Sequence, residues 1–245
     1  MNGSDGKYNR GNRTTLTFVL GGILVMLLFP KIHAALITPE GRIRQALYKN
    51  EQLIDYVIDG QNAYAFVSTN GDRDYGDRLL VLKESKNNWK RVYENDFTGL
   101  KPWKLTVADI DGDGKQDIVA AVKKTTFYDT EEKNRLFIFD YTDGKLVKKW
   151  TGSDIAGSWE DFTVGELVET KGEELIFISN TEEGKEKLLV YHWFDFGFLL
   201  LAQSEDYEDM IEVEIVKENC LRLTYHRGKE QRVLLMLKKG RVIEV

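Results

Sequence analysis

From residue 53 onward, short runs of β-branched and aromatic residues recur every five to fifteen positions, separated by clusters of Gly, Asn and Asp. No long stretch carries helical periodicity, so the pattern predicts an all-β domain. The runs fall into four units of four strands each: 53–58, 63–68, 78–82 and 89–93; then 105–109, 117–122, 135–140 and 145–150; then 162–166, 174–179, 187–192 and 199–203; then 211–216, 220–225, 231–237 and 241–245. The second strands begin 54, 57 and 46 residues apart, a spacing that reads as an internal repeat. A four-stranded antiparallel sheet repeated radially is the blade of a β-propeller. The expected fold is therefore a small β-propeller of about four such blades, covering 53–245, with repeats near 53–99, 100–155, 156–208 and 209–245. The repeats are weak outside the second and third units, which keeps a two-sheet sandwich as the competing arrangement.

The N-terminal segment is patterned differently. Residues 1–13 are polar and carry Lys7, Arg10 and Arg13, and residues 16–29 are fourteen positions without a charge. As a helix that run rises roughly 21 Å, short of the ~30 Å hydrocarbon core of a bilayer. Extended over 14–37, with Lys31 reaching to the interface, it predicts a transmembrane signal anchor. The alternative is a cleavable signal peptide, broken at Pro30 and cut after Ile32-His33-Ala34. No cysteine follows the run, so a lipoprotein anchor is excluded. In 38–52, Thr38 can cap a helix, Pro39 suits its first position, and Ile43, Ala46, Leu47 and Leu53 fall at helical spacings, predicting a short stalk.

Charge sharpens this division. Residues 1–50 hold seven Lys/Arg against two Asp/Glu, and residues 51–245 hold 27 against 38, or −11. A domain that acidic is a poor partner for phosphate backbones, so no nucleic-acid role is expected. With Cys220 alone there is no internal disulfide and no cysteine-based metal site, and only His33, His192 and His226 are available for imidazole ligation.

The most specific motif is Asp109-Ile110-Asp111-Gly112-Asp113-Gly114-Lys115-Gln116-Asp117. Four carboxylates in one turn repel one another unless a cation neutralises them. Hard oxygen ligands select Ca²⁺, Gly112 and Gly114 permit tight wrapping, and the Lys115 carbonyl stands at the usual backbone-ligand position. An EF-hand needs a glutamate at the twelfth position, which here is Ala120 within a β-branched run. The motif therefore predicts a strand–loop–strand calcium site, one per chain. In the third unit, residues 164–175 align with 107–118 without a gap, and Glu166, Val168, Thr170 and Glu174 replace Asp109, Asp111, Asp113 and Asp117. That turn is expected to be metal-free. The cluster at 72–77 is interrupted by Arg73 and is expected to be a solvated loop.

Lys101-Pro102-Trp103-Lys104 together with 108–121 resembles an FG-GAP (VCBS-type) repeat, the calcium-binding blade of integrin-like propellers. The wider pattern, with Lys123-Lys124-Thr125, 134–139 and Trp150-Thr151-Gly152-Ser153, resembles bacterial exported propeller proteins. The resemblance implies that Asp109, Asp111, Asp113, Asp117 and the Lys115 carbonyl are metal ligands. It departs from the family in lacking the Phe-Gly/Gly-Ala-Pro element and in confining the acidic loop to one unit.

No G-x-S-x-G elbow, phosphate-binding glycine loop, H-E-x-x-H or Cys/His pair occurs, so no catalysis is expected. His192 and His226 fall in strands, and Cys220 reads as a small buried hydrophobe. Trp103 and Trp159 precede first strands, where exposed rings would suit sugar stacking or protein contacts. The combined expectation is a membrane-tethered, extracytoplasmic interaction module, stabilised by calcium and non-catalytic, that presents its propeller to a protein or cell-wall partner. If the N-terminal segment is cleaved, the domain is secreted. The alternative is a carbohydrate-binding (lectin-like) or glycan-processing accessory propeller.

Overall fold

Every predicted run is a strand in the computed structural model, which describes residues 38–152 and 154–245. The first unit contains β1 (Gln52–Asp59), β2 (Asn62–Ser68), β3 (Arg78–Ser85) and β4 (Asn88–Asp96). The second contains β5 (Pro102–Ala108), β6 (Asp117–Lys124), β7 (Lys133–Thr142) and β8 (Lys145–Thr151). The third contains β9 (Trp159–Gly165), β10 (Glu174–Asn180), β11 (Glu186–Phe194) and β12 (Gly197–Ser204). The last contains β13 (Met210–Lys217), β14 (Cys220–Arg227), β15 (Lys229–Lys238) and β16 (Arg241–Glu244). Each unit is an antiparallel meander in which consecutive strands pair, joined by two-residue turns in some places and by longer loops, such as 69–77 and 125–132, in others.

Four separate blades were expected, and here the structure differs. The first two units are four-stranded sheets, but the third and fourth join into one eight-stranded sheet. The outermost strands β12 and β16 pair in parallel, Gln203 opposite Arg241 and Ser204 opposite Val242. The pairing satisfies backbone groups that two exposed sheet edges would otherwise leave open. The first strands of successive units approach one another, β5 lying against β1 and β9, and β9 against β13.

The second strands β6 and β10 are covered on both faces, which explains their nearly unbroken apolar character. Ile118, Ala120 and Val122 of β6 pack with Tyr64, Phe66, Leu79 and Val81 of the first sheet. Val119 and Ala121 point the other way, with Trp159, Phe162, Leu175 and Phe177 of the third unit. In β10, Ile176 and Ile178 face Val213, Leu221, Leu223 and Leu235 of the fourth. Burying each large side chain of this kind contributes roughly 1.5–3 kcal/mol. Cys220 joins the buried set, as its sequence position suggested.

Two register features recur that periodicity does not reveal. Every first strand skips a residue near its start against its partner, Ile54, Trp103, Glu160 and Ile211, and β13 skips Val216 as well. The fourth strands of the first three units skip Val92, Lys149 and Leu201. Such β-bulges re-aim a side chain off the regular alternation, and both sets matter below.

Of the predicted stalk, Pro39–Gln45 forms helix α1, capped as expected by Thr38 Oγ1, which accepts the Gly41 amide at 3.0 Å. Residues 46–51 are not helical. The proposed anchor at 14–37 lies outside the described residues. Among the described residues no helix is long and apolar enough to cross a membrane.

Candidate functional site

The β5–β6 turn carries the acidic motif, and its aspartates fold the loop onto themselves. Asp109 accepts the Asp113 amide at 2.9 Å through Oδ1 and the Gly114 amide at 2.9 Å through Oδ2. Asp111 Oδ1 accepts the same Asp113 amide at 3.2 Å, and Asp113 Oδ1 accepts the Lys115 amide at 2.9 Å. That last bond holds the Asp113 carboxyl below its ordinary pKa, because it favours the charged form. These bonds gather one carboxylate oxygen from each of Asp109, Asp111 and Asp113 within 4.8 Å of one another. Three converging carboxylates on a strand–loop–strand turn are a donor set that could hold a metal ion. Lys115 contributes its amide to the loop, and its ammonium stands 3.4 Å from Asp113 Oδ2.

Asp117 is not gathered with them. As the first residue of β6 it is fully buried, and its Oδ2 accepts the Ile110 amide at 3.3 Å. Its Oδ1 meets the ammonium of Lys149 at 2.7 Å. That ammonium also reaches Asp111 Oδ2 at 2.8 Å and Asp140 Oδ1 at 3.5 Å. The pair of oxygens on Asp117 is thus committed to the protein, and the expected four-carboxylate ligand set becomes three. Burial pushes the Asp117 carboxyl up to about 7; Lys149 opposes this and Asp140 adds to it. On Lys149, burial works against the charge, but Asp111 and Asp117 outweigh it and hold the ammonium above the ordinary lysine range.

Lys149 was invisible to sequence reasoning because 145–150 looks like an ordinary outer strand. The bulge at Lys149 turns a side chain that alternation would not assign inward toward the acidic turn. Asp140 pairs with Val147, one pair beyond the Phe139–Lys148 pair that flanks the bulge.

The third unit keeps the frame and changes the chemistry. Glu174, fully buried, accepts the Leu167 and Val168 amides at 2.9 and 3.1 Å and the Thr170 hydroxyl at 2.8 Å. His192 Nδ1 stands 3.1 Å from Glu174 Oε1 and occupies the strand position that Asp140 holds in the second unit. One glutamate thus takes the backbone and hydroxyl hydrogen bonds of this turn.

The two turns also touch. The Glu173 amide donates to the Asp109 carbonyl at 2.9 Å, and the Asn219 amide donates to the Leu167 carbonyl at 2.7 Å, so successive turns are linked along the domain. Gly112 sits at the first junction with φ of 66°, and a Cβ there would collide with Lys171 Cγ and stand 2.6 Å from the Gly172 nitrogen. Its role is close approach between turns, beyond the loop wrapping the motif implied. Gly114, at φ 85°, has open space around it.

The two tryptophans separate. Trp159 is 2% exposed, with Phe177 at 5.1 Å and Phe162 at 5.9 Å between ring centroids, so its expected part in ligand contact is corrected to core packing. Trp103 is half-buried, 6.1 Å from Trp159, and one side of it lines an open cleft at the far end of β5 from the acidic turn. The cluster at 72–77 is more ordered than a solvated loop. Asp77 is buried and accepts the Thr69 amide and hydroxyl at 3.0 and 2.8 Å, and Asp72 accepts the Asp74 and Tyr75 amides.

No family model and no curated protein matches this sequence. Among solved structures, the domain is similar to that described as "a putative 6-phosphogluconolactonase from Bacteroides uniformis ATCC 8492", with a TM-score of 0.52 and 16% identity. The match covers 85% of this chain and 57% of that one, so the chain spans little more than half the length of its structural relative. The expectation of a non-catalytic chain is corrected by this finding, because a similar architecture is described as an enzyme. Missing short motifs therefore do not argue against catalysis. At this identity the likeness concerns the fold alone and carries no lactone chemistry to these residues.

Proposed function

We propose that this chain is a metal-stabilised binding domain of propeller type, its four meanders arranged as blades. The convergence of Asp109, Asp111 and Asp113 oxygens within 4.8 Å is the observation that carries the reading. Two further features support it. Asp109, Asp111, Asp113, Asp117 and Asp140 bring five carboxyl groups to one turn, against the ammonium groups of Lys115 and Lys149, and with Asp117 only partly ionised near neutral pH the excess is between two and three negative charges. The loop joins the second and third units through Gly112 and Glu173, so an ion there would stiffen a junction and not merely a surface turn.

All-oxygen donors make Ca²⁺ the ion of choice, because it tolerates irregular coordination where Mg²⁺ demands near-ideal octahedra. Extracellular calcium modules bind at about 10⁻⁴–10⁻³ M, which favours a domain outside the cytosol, carried there by the apolar segment at 14–37. At about 1 mM Ca²⁺ and a Kd near 0.1 mM, mass action stabilises the fold by roughly 1.4 kcal/mol. Thermal unfolding with and without Ca²⁺ should show that shift, and Asp111→Ala should remove it. A shift that survives in Asp111→Ala, or an equal response to Mg²⁺, would refute the calcium assignment.

A further inference from the structure

The bulges of the first strands converge on a second site, at the opposite end of β5 from the acidic turn. Ile54, Trp103 and Glu160 are the skipped residues of β1, β5 and β9, and all three line the Trp103 cleft. The bulge recurs in every first strand, and in three of them it delivers a side chain to one cavity of about 430 Å³. Its volume falls in the range of about 300–1,000 Å³ usual for small-molecule sites.

The lining is mixed in a specific way. Trp103 and Tyr75 supply aromatic surface. Arg73 and Lys123 supply cations, and among the described residues neither is paired with a carboxylate. Asp74 and Glu160 supply acceptors, and Asn134 adds an amide whose Nδ2 is anchored on the Trp159 carbonyl at 2.7 Å. The loop that carries Arg73, Asp74 and Tyr75 is held in place before any ligand arrives. Asp72 caps it, and the Gly76 amide donates to the Pro102 carbonyl at 2.7 Å, one residue from Trp103. Such pre-ordering lowers the entropic cost of binding.

We propose that this cleft binds an acidic sugar, a uronate residue of a glycan. The carboxylate lies between Arg73 and Lys123, where charge-assisted hydrogen bonds form. The hydroxyls donate to Asp74 and Glu160, and the apolar face of the pyranose rests on the Trp103 ring. A doubly charged phosphate fits less well, since the two carboxylates would repel it, and a neutral sugar would leave both cations unanswered.

Calorimetry with trigalacturonate in calcium-free buffer, with its methyl ester as the uncharged control, tests this. The acid should bind saturably and the ester about tenfold more weakly. Arg73→Ala and Lys123→Ala, both on side chains outside the core, should each weaken the acid about fivefold to tenfold and flatten its salt dependence. Trp103→Phe, which keeps the packing against Trp159, should weaken acid and ester alike. Asp111→Ala should leave binding unchanged, so that failure of the metal site and failure of the cleft are told apart. Equal affinity for acid and ester, undiminished binding in both Arg73→Ala and Lys123→Ala, no saturable binding, or displacement of the sugar by AMP would each overturn the assignment.

Discussion

Gly112→Ala is expected to lower stability by about 3 kcal/mol, from two sources that add. At φ 66° a side chain costs about 1 kcal/mol relative to glycine. The new Cβ then meets the Lys171 side chain and, more seriously, the Gly172 backbone at 2.6 Å. Backbone cannot rotate away as a side chain can, so the two turns must separate, and overpacking of this kind costs about 1–3 kcal/mol. For a domain of this size the midpoint of thermal unfolding should fall by roughly 6–12 °C. Gly114→Ala is the internal control. Its φ is 85°, but nothing lies within 4 Å of the added carbon, so only the conformational cost of about 1 kcal/mol applies. Equal losses in the two variants would mean that the acidic turn does not dock on 171–173. Trimming the neighbour with Lys171→Ala should recover little, because the Gly172 nitrogen remains in the way.

That junction illustrates what could be read from the chain and what could not. Strand positions were legible because short β-branched and aromatic runs between Gly, Asn and Asp clusters mark them: 117–122 reads as a strand, and the structure adds that Ile118 and Val119 face opposite cores. The acidic turn was legible because carboxylates at every second position repel one another and persist in a tight loop only where donors or a cation offset that repulsion. Four features were not. The β12–β16 pairing depends on where two outer edges meet in space, and neither edge carries a signal for it. The bulges add one residue to a strand without changing its composition, so Trp103 and Lys149 gave no hint of being re-aimed. Trp159, placed by its position near a strand end among ligand contacts, is buried instead, because the third unit's core extends to that strand's first residue. Asp117 fits the spacing of a ligand set, yet spacing says nothing of a lysine arriving from a strand more than thirty positions later.

Lys149→Met therefore tests the part of the site that only the structure reveals. Removing the ammonium leaves the buried Asp117 carboxyl without its partner, and since that carboxyl already stands at about 7 it is held protonated near neutral pH, so the cost is that of an unsatisfied buried group, about 1–3 kcal/mol. The loss should appear as a fall in the urea midpoint with little change in slope. Adding Asp117→Asn should change little further near neutral pH, since the amide oxygen can still accept from the Ile110 amide and the carboxyl it replaces is already neutral. The double-mutant cycle should then show a coupling between Lys149 and Asp117 of about 1–2 kcal/mol, and additive losses would dissolve the pair. The same substitution bears on the metal. Lys149 holds Asp111 Oδ2 at 2.8 Å, so an ion drawing on Asp111 competes with an ammonium for that carboxylate. Without the lysine, calcium should bind several-fold more tightly even though the fold is weaker, and the calcium-dependent melting shift should grow as the baseline falls. Affinity and stability moving in opposite directions is a result that general loosening of the turn would not produce. A Lys149→Met protein that binds calcium no better than the parent would show that the ion and the ammonium do not share Asp111.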